Sequence, residues 1–179
     1  MGVRAGCWLL ALTALLAACS SEEPTGALPP VGQVPPSPTS LAPPSVPPVA
    51  MEATPAGASA FARHYLLLLN DAFARSDAVG VRANSESSCR SCSAFIASIE
   101  IGPGDEEITG GDYVPESAVT PEVSGGKADV LVTYGLTEVK VLDASGAEIR
   151  SRPARDGLSA QLSLVMRSGG WSVAAFRNV

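Results

Sequence analysis

Residues 158–176 read LSAQLSLVMRSGGWSVAAF. Apolar side chains alternate with polar or small ones up to Met166, and a second alternating run follows Gly170. A period of two is typical of a strand that buries one face, and a Gly-Gly pair between two such runs favours a tight turn. This stretch therefore predicts a β-hairpin at the C-terminal end of the sequence.

The alternation is also present upstream of the hairpin. Residues 130–136 carry apolar side chains at the even positions, whereas the next apolar pair, Val139 and Val141, falls on odd positions. The inward-facing phase thus slips by one residue, and we expect a bulge or bend near residues 135–138 to absorb the slip. Residues 108–119 are expected to supply an earlier and more irregular strand.

Before the strands, the apolar period is helical. Thr54-Pro55 is typical of an N-cap followed by proline at the first helical position, and the helix should end near Arg75. We expect a short helix at 77–83 and a third at about 88–101, which Gly102 ends. Helices followed by antiparallel strands predict an α+β fold, with N-terminal helices packed on a curved, mostly antiparallel sheet. The apolar stripe of the first helix consists of Phe61, Tyr65, Leu68, Leu69 and Ala72.

Residues 20–54 differ in composition from the rest of the sequence. They are rich in Pro, Ser, Ala, Val and Gly, with four Pro-Pro pairs and no periodic apolar pattern. Such a segment cannot bury a core, so we expect an extended tether with polyproline II character. The predicted organisation is therefore a linker over 19–54 and a single folded domain over 55–179.

The first 18 residues have the order of a secretory signal. Arg4 precedes an apolar run over residues 7–16, which is too short to span a bilayer as a permanent helix. The sequence Leu16-Ala17-Ala18-Cys19 that follows resembles the lipobox of bacterial lipoproteins. This resemblance implies cleavage before Cys19, acylation of that residue, and anchoring on the extracytoplasmic face of the cell membrane.

The charge of the chain limits its partners. The formal net charge is -6, and loss of Arg4 with the signal makes it about -7. An acidic surface argues against nucleic acid and against electrostatic docking to anionic lipid. The membrane should therefore be contacted through the lipid on Cys19, and the remaining candidate partners are an envelope protein, a small-molecule ligand or a second copy of the chain.

The arrangement of helices before a bent sheet and a C-terminal hairpin resembles the cone-shaped fold of the nuclear transport factor 2-like superfamily. Three motifs, FARHY at 61–65, LNDAF at 69–73 and SCRSC at 88–92, look like those of an uncharacterised family of actinobacterial cell-envelope lipoproteins. The resemblance implies a first helix lying across the concave face of the sheet, and sheet-to-sheet pairing as a homodimer. No activity comes with this family.

Cys89 and Cys92 are the only thiols left once the signal is removed and Cys19 is acylated. Outside the cytoplasm we expect them to form one disulfide. A C-x-x-C pair can also catalyse thiol-disulfide exchange, but thioredoxin-like enzymes place it after a buried strand, and here it follows a polar run. Two thiols do not complete a tetrahedral metal shell, and His64 is the sole histidine, so no metal site is predicted.

Two residues of the first helix are candidates for acid/base catalysis. His64 and Asp71 flank its apolar stripe, and in enzymes of the cone superfamily a histidine or aspartate points into the cavity. The pattern places His64 at the edge of the stripe, where a surface position is the alternative. Tyr65, Tyr134 and Trp171 could line a ligand pocket with Phe61, or could simply fill the core.

These observations leave several functions open. The first is a lipid-anchored domain of the cell envelope that binds without catalysis. An enzyme is the alternative, either a cavity acid/base catalyst using His64 or an oxidoreductase using Cys89 and Cys92. No phosphate-binding loop, nucleophile elbow or zinc-ligand spacing occurs in the sequence, so no cofactor is predicted.

Overall fold

The computed structural model describes residues 43–179. The predicted signal, the lipobox with Cys19, and residues 20–42 of the predicted tether lie outside the described residues. No helix within residues 43–179 combines the length and apolarity that a membrane span requires.

The described chain has the predicted α+β order, with helices packed on antiparallel strands. A 3-10 helix at Pro48–Met51 comes first. Three α-helices and seven strands follow: α1 Pro55–Arg75, α2 Val79–Ala83, α3 Arg90–Ile101, β1 Glu107–Gly110, β2 Tyr113–Val119, β3 Lys127–Leu136, β4 Val139–Leu142, β5 Glu148–Arg152, β6 Arg155–Arg167 and β7 Gly170–Asn178.

Helix α1 begins and ends as the sequence predicts. The Thr54 side chain accepts a hydrogen bond from the Gly57 backbone N–H at 3.0 Å, which satisfies one of the free donors of the first turn. Pro55 occupies the first helical position. Ser76 ends the helix in the left-handed conformation with φ 53°. The predicted apolar stripe is buried along its full length.

The strands form two sheets where we expected a single bent one. The larger sheet has the order β2-β3-β6-β7 and the smaller one the order β1-β4-β5, all antiparallel. The region predicted as one irregular strand is divided at Gly110 and Gly111 into β1 and β2, because both glycines have positive φ. One strand of each sheet therefore comes from this region.

The phase slip predicted near residues 135–138 has a structural counterpart. The pairing of β3 with β6 shifts register between Tyr134 and Leu136, and the chain then leaves the larger sheet to begin β4 in the smaller one. The C-terminal hairpin is confirmed, with β6 and β7 paired from Arg167 and Gly170 outward. The even-numbered residues of β3 face the helices and the odd-numbered ones face outward.

The folded part begins before the predicted boundary at residue 55. Ala50, in the 3-10 helix, is completely buried. The backbone oxygen of Glu52 accepts a hydrogen bond from the Trp171 indole at 2.9 Å. Composition did not reveal this segment because Pro-Val-Ala-Met continues the pattern of the preceding Pro-rich residues.

Candidate functional site

The space between α1 and the larger sheet is filled by side chains. Phe61 and Leu68 of α1 are 2% and 5% exposed, and Trp171 of β7 is 3% exposed. From the sheet, the facing residues are equally buried. They are Val130, Val132, Tyr134, Ala160, Leu162, Leu164, Val173 and Phe176.

Tyr65 lies in this core, and its hydroxyl forms a hydrogen bond within the protein. The Tyr65 hydroxyl is 2.8 Å from Ser85 Oγ, and Ser85 Oγ donates to the backbone oxygen of Val81 at 2.7 Å. Because the serine proton is committed to Val81, Tyr65 is the donor to Ser85. Burial raises the pKa of Tyr65 to about 12, against a smaller lowering by this hydrogen bond. Tyr65 therefore stays neutral and ties α1 to the segment after α2.

Tyr134 and Trp171 are also held by the protein itself. The Tyr134 hydroxyl donates to Asn178 Oδ1 at 3.2 Å, and the Trp171 indole N–H donates to Glu52. Burial raises the pKa of Tyr134 above its ordinary value. The three aromatic candidates thus do not surround a common open cavity, and their polar atoms have partners inside the fold.

His64 is buried, which corrects its expected place at the edge of the stripe. His64 is 2% exposed, and its Nε2 atom has no hydrogen-bond partner. The nearest aromatic contact is Phe61, with ring centroids 6.5 Å apart. Desolvation lowers the pKa of His64 below its ordinary value of 6.5. The buried side chain is therefore neutral at pH 7.

We expect His64→Leu to weaken the acid sensitivity of the fold. The pKa of His64 is lower in the folded than in the unfolded chain, so the unfolded chain takes up the proton first as the pH falls below 6.5. The stability from neutral His64 is complete above that pH and is lost as the pH falls towards the folded-state pKa. Urea unfolding should show a smaller loss between pH 7.5 and 5.5 for His64→Leu, and equal losses in both proteins would contradict this.

Asp71 is not placed to work with His64. It forms an ion pair with Arg75 on the next turn of α1. His64 and Asp71 are seven residues apart, which corresponds to about 10 Å along a helix axis. The two candidate catalytic residues are thus too far apart for a direct hydrogen bond.

Cys89 and Cys92 form the predicted disulfide, with their Cα atoms 5.3 Å apart. Both residues are 1% exposed, and Cys89 is the N-cap of α3, accepting from the Cys92 backbone N–H at 3.2 Å. Between them, Ser91 Oγ accepts a hydrogen bond from the Phe176 backbone N–H at 3.1 Å. The disulfide therefore fixes the first turn of α3, whose Ser91 side chain bonds to the outer edge of β7.

The open surface lies on the other side of the larger sheet. A groove of about 560 Å³ is bordered by Glu122, Lys127 and Asp129, and a second of about 400 Å³ by Val119 and Leu131. Both grooves include Pro121 and Asp129, so they form one continuous surface, which we call the outer face. Neither groove includes His64, Tyr65 or the disulfide.

The outer face was missed from the sequence, although a signal was present. Val119 and Leu131 are directly opposite each other in β2 and β3 and are 58% and 49% exposed. Leu131 is the apolar residue at an odd position within the alternating run at 130–136. A single exposed apolar side chain is ordinary, but neighbouring ones that form a patch indicate a candidate interaction surface.

Within residues 43–179, no three histidine, cysteine or carboxylate side chains lie together as a metal site would require. The buried His64 and the Cys89–Cys92 disulfide therefore do not combine into a set of metal ligands.

Comparison with known proteins yields distant structural likenesses. No family model and no curated protein sequence matches the chain. The intermembrane space region of the chloroplast protein ARC6 has a TM-score of 0.41 and 12% identity, over 59% of this chain and 78% of that one. Aln2 from a Streptomyces species has a TM-score of 0.38 and 16% identity, over 61% and 82%. The resemblance to envelope lipoproteins with a cone fold stays a prediction.

Proposed function

We propose that the chain is a lipid-anchored, extracytoplasmic interaction module of the cell envelope that binds without catalysis. The anchor is the acylated Cys19 of the lipobox-like sequence, and the folded domain is held by the Pro-rich segment that follows. The observation that carries the proposal is the filled interior between α1 and the larger sheet. Since ligand sites are concave and partly open, recognition is left to the exterior of the domain.

The outer face is the surface that supports binding best. It joins apolar residues, Val119 and Leu131, to charged residues of both signs, Lys127 and Asp129. An apolar centre with a polar rim is the usual anatomy of a protein interface. An envelope protein is therefore the favoured partner, because a small ligand would need a more enclosed site.

Photo-crosslinking in cells tests this function. A photoreactive residue at position 131 should capture an envelope protein, whereas the same residue at position 79 of α2 should not, although Val79 is 71% exposed. With Cys19→Ser the chain should lose incorporation of labelled palmitate and retain its uncleaved signal. Equal adducts at the two positions would contradict the outer face as the binding site, and unchanged incorporation of palmitate by Cys19→Ser would contradict the anchor.

A further inference from the structure

At each edge of the larger sheet, backbone groups form hydrogen bonds with another part of the chain. Val173 of β7 donates to Asn84 at 2.9 Å and accepts from Glu86 at 2.8 Å, so the segment after α2 covers this edge. At the opposite edge, the Asn70 amide donates to the Tyr113 oxygen and accepts from the Tyr113 N–H, both at 2.8 Å. These contacts occupy the backbone groups of Val173 and Tyr113 that another strand would otherwise use.

The smaller sheet is different, because both of its outer strands are open. Every residue of β1 and of β5 is exposed. Within the part of the chain that the structure describes, each of these strands is paired only with β4. Unpaired backbone N–H and C=O groups on an exposed strand are a template for a further strand.

The two open edges carry opposite charges. Strand β1 begins at Glu107, directly after Asp105 and Glu106. Strand β5 contains Arg150 and Arg152 and one carboxylate, Glu148, which pairs with Lys140 of β4. Within the chain, Arg150 Nη2 donates to the two carboxylate oxygens of Glu106, Oε1 at 2.8 Å and Oε2 at 2.6 Å. Glu107 and Arg152 make no ion pair among the described residues. One edge is therefore acidic and the other basic, with unpaired charge on each.

We propose that copies of this chain associate edge to edge, with β5 of one copy pairing with β1 of the next. The charges that have no ion-pair partner favour this contact over its two symmetric alternatives. Glu148 of β5 already pairs with Lys140, so two β5 edges add no free carboxylate, and two β1 edges add no arginine. The β5–β1 pair alone joins the two unpaired charges, Arg152 and Glu107.

The faces of the strands are compatible with antiparallel pairing, the more stable direction. Arg150 lies opposite Val141, and Glu107 lies opposite Leu142, so the two charged residues are on different faces of the sheet. Antiparallel pairing of β5 with a second copy's β1 turns the second copy over. It thereby brings Glu107 onto the face that carries Arg150 and Arg152.

This contact joins two different edges and is therefore heterologous. In a pair of copies, the β1 edge of one copy and the β5 edge of the other remain free, so further copies can add. A pair of strands this short buries less area than the roughly 1,600 Å² of a stable complex, so the association is weak and increases with concentration. It uses neither the outer face nor the lipid, and it is therefore independent of the proposed function.

Sedimentation of the chain from residue 20 onward, which lacks both the predicted signal and the acylated cysteine, tests the proposal without detergent. At about 0.01 M salt, where charges act over about 30 Å, the weight-average mass should rise with protein concentration. At about 1 M salt, where this range is about 3 Å, the mass should fall to that of a monomer. A monomer at every concentration in low salt would overturn the proposal.

Charge reversal identifies the edges. Arg152→Glu and Glu107→Lys should each give a monomer, because each places like charges at positions 107 and 152 of neighbouring copies. An equimolar mixture of the two variants should associate again, since each edge then meets an opposite one. Arg63→Glu, on the exposed surface of α1, changes the net charge as Arg152→Glu does and should leave association unchanged. Association that survives both edge variants, or a mixture that stays monomeric, would overturn the assignment.

Discussion

Gly57→Ala is expected to destabilise the domain by about 1–3 kcal/mol, the usual cost of forcing extra atoms into a packed site. In most helices the same change is favourable by about 1 kcal/mol, because glycine is a poor helix former. Here a Cβ at residue 57 would lie 2.2 Å from the Glu52 oxygen and 2.8 Å from the Val49 oxygen. Both neighbours are backbone atoms, so the 3-10 helix must move away from α1.

Urea unfolding and tryptophan fluorescence measure the two consequences. The transition midpoint should fall, and the emission of Trp171 should shift to longer wavelength as its contact with Glu52 opens. Gly80→Ala is the matched control, since its Cβ would meet Leu68 at 3.6 Å, an ordinary contact, and should be neutral or stabilising. A Gly57→Ala protein as stable as Gly80→Ala would mean that the segment before α1 is not held against it.

This segment also shows the limit of reading the fold from sequence. Thr54, Pro55 and the alternating runs around Gly170 act through local rules of capping and periodicity, and each predicted its element. Gly57 is required by a backbone that approaches from outside its own helix. Nothing in the adjacent sequence indicates that approach, so the start of the folded part was placed too late.

The candidate site was harder to predict for a related reason. Periodicity says which face of α1 turns inward, but it does not say how completely neighbouring elements cover the flanks of that face. His64 is such a case, because it was expected at the edge of the stripe and is buried. Leu131 differs, because its odd position in the alternating run agrees with its exposure, but the sequence does not show that Val119 lies opposite it.

Reduction of the Cys89–Cys92 disulfide is expected to destabilise the domain by about 2 kcal/mol, the chain-entropy value for so short a loop. The loss should be concentrated at the edge of β7, because the disulfide holds Ser91 against Phe176 and lies beside the residues that bond to Val173. Hydrogen exchange of the Phe176 and Val173 amides should accelerate on reduction. The Leu162 amide of the central strand β6 should change less, and provides the internal control.

The same free energy sets the redox behaviour of the pair. Whatever stability the disulfide adds to the folded chain must also favour the disulfide over the dithiol, by thermodynamic linkage. For a two-electron couple, about 2 kcal/mol corresponds to about 40 mV, so the folded chain should have a potential more negative than the unfolded chain by that amount. A folded-state potential below about -300 mV would agree with a structural disulfide. A higher potential in the folded than in the unfolded chain would mean that folding favours the dithiol, as an oxidising thiol-disulfide enzyme requires, and would return catalysis to Cys89 and Cys92.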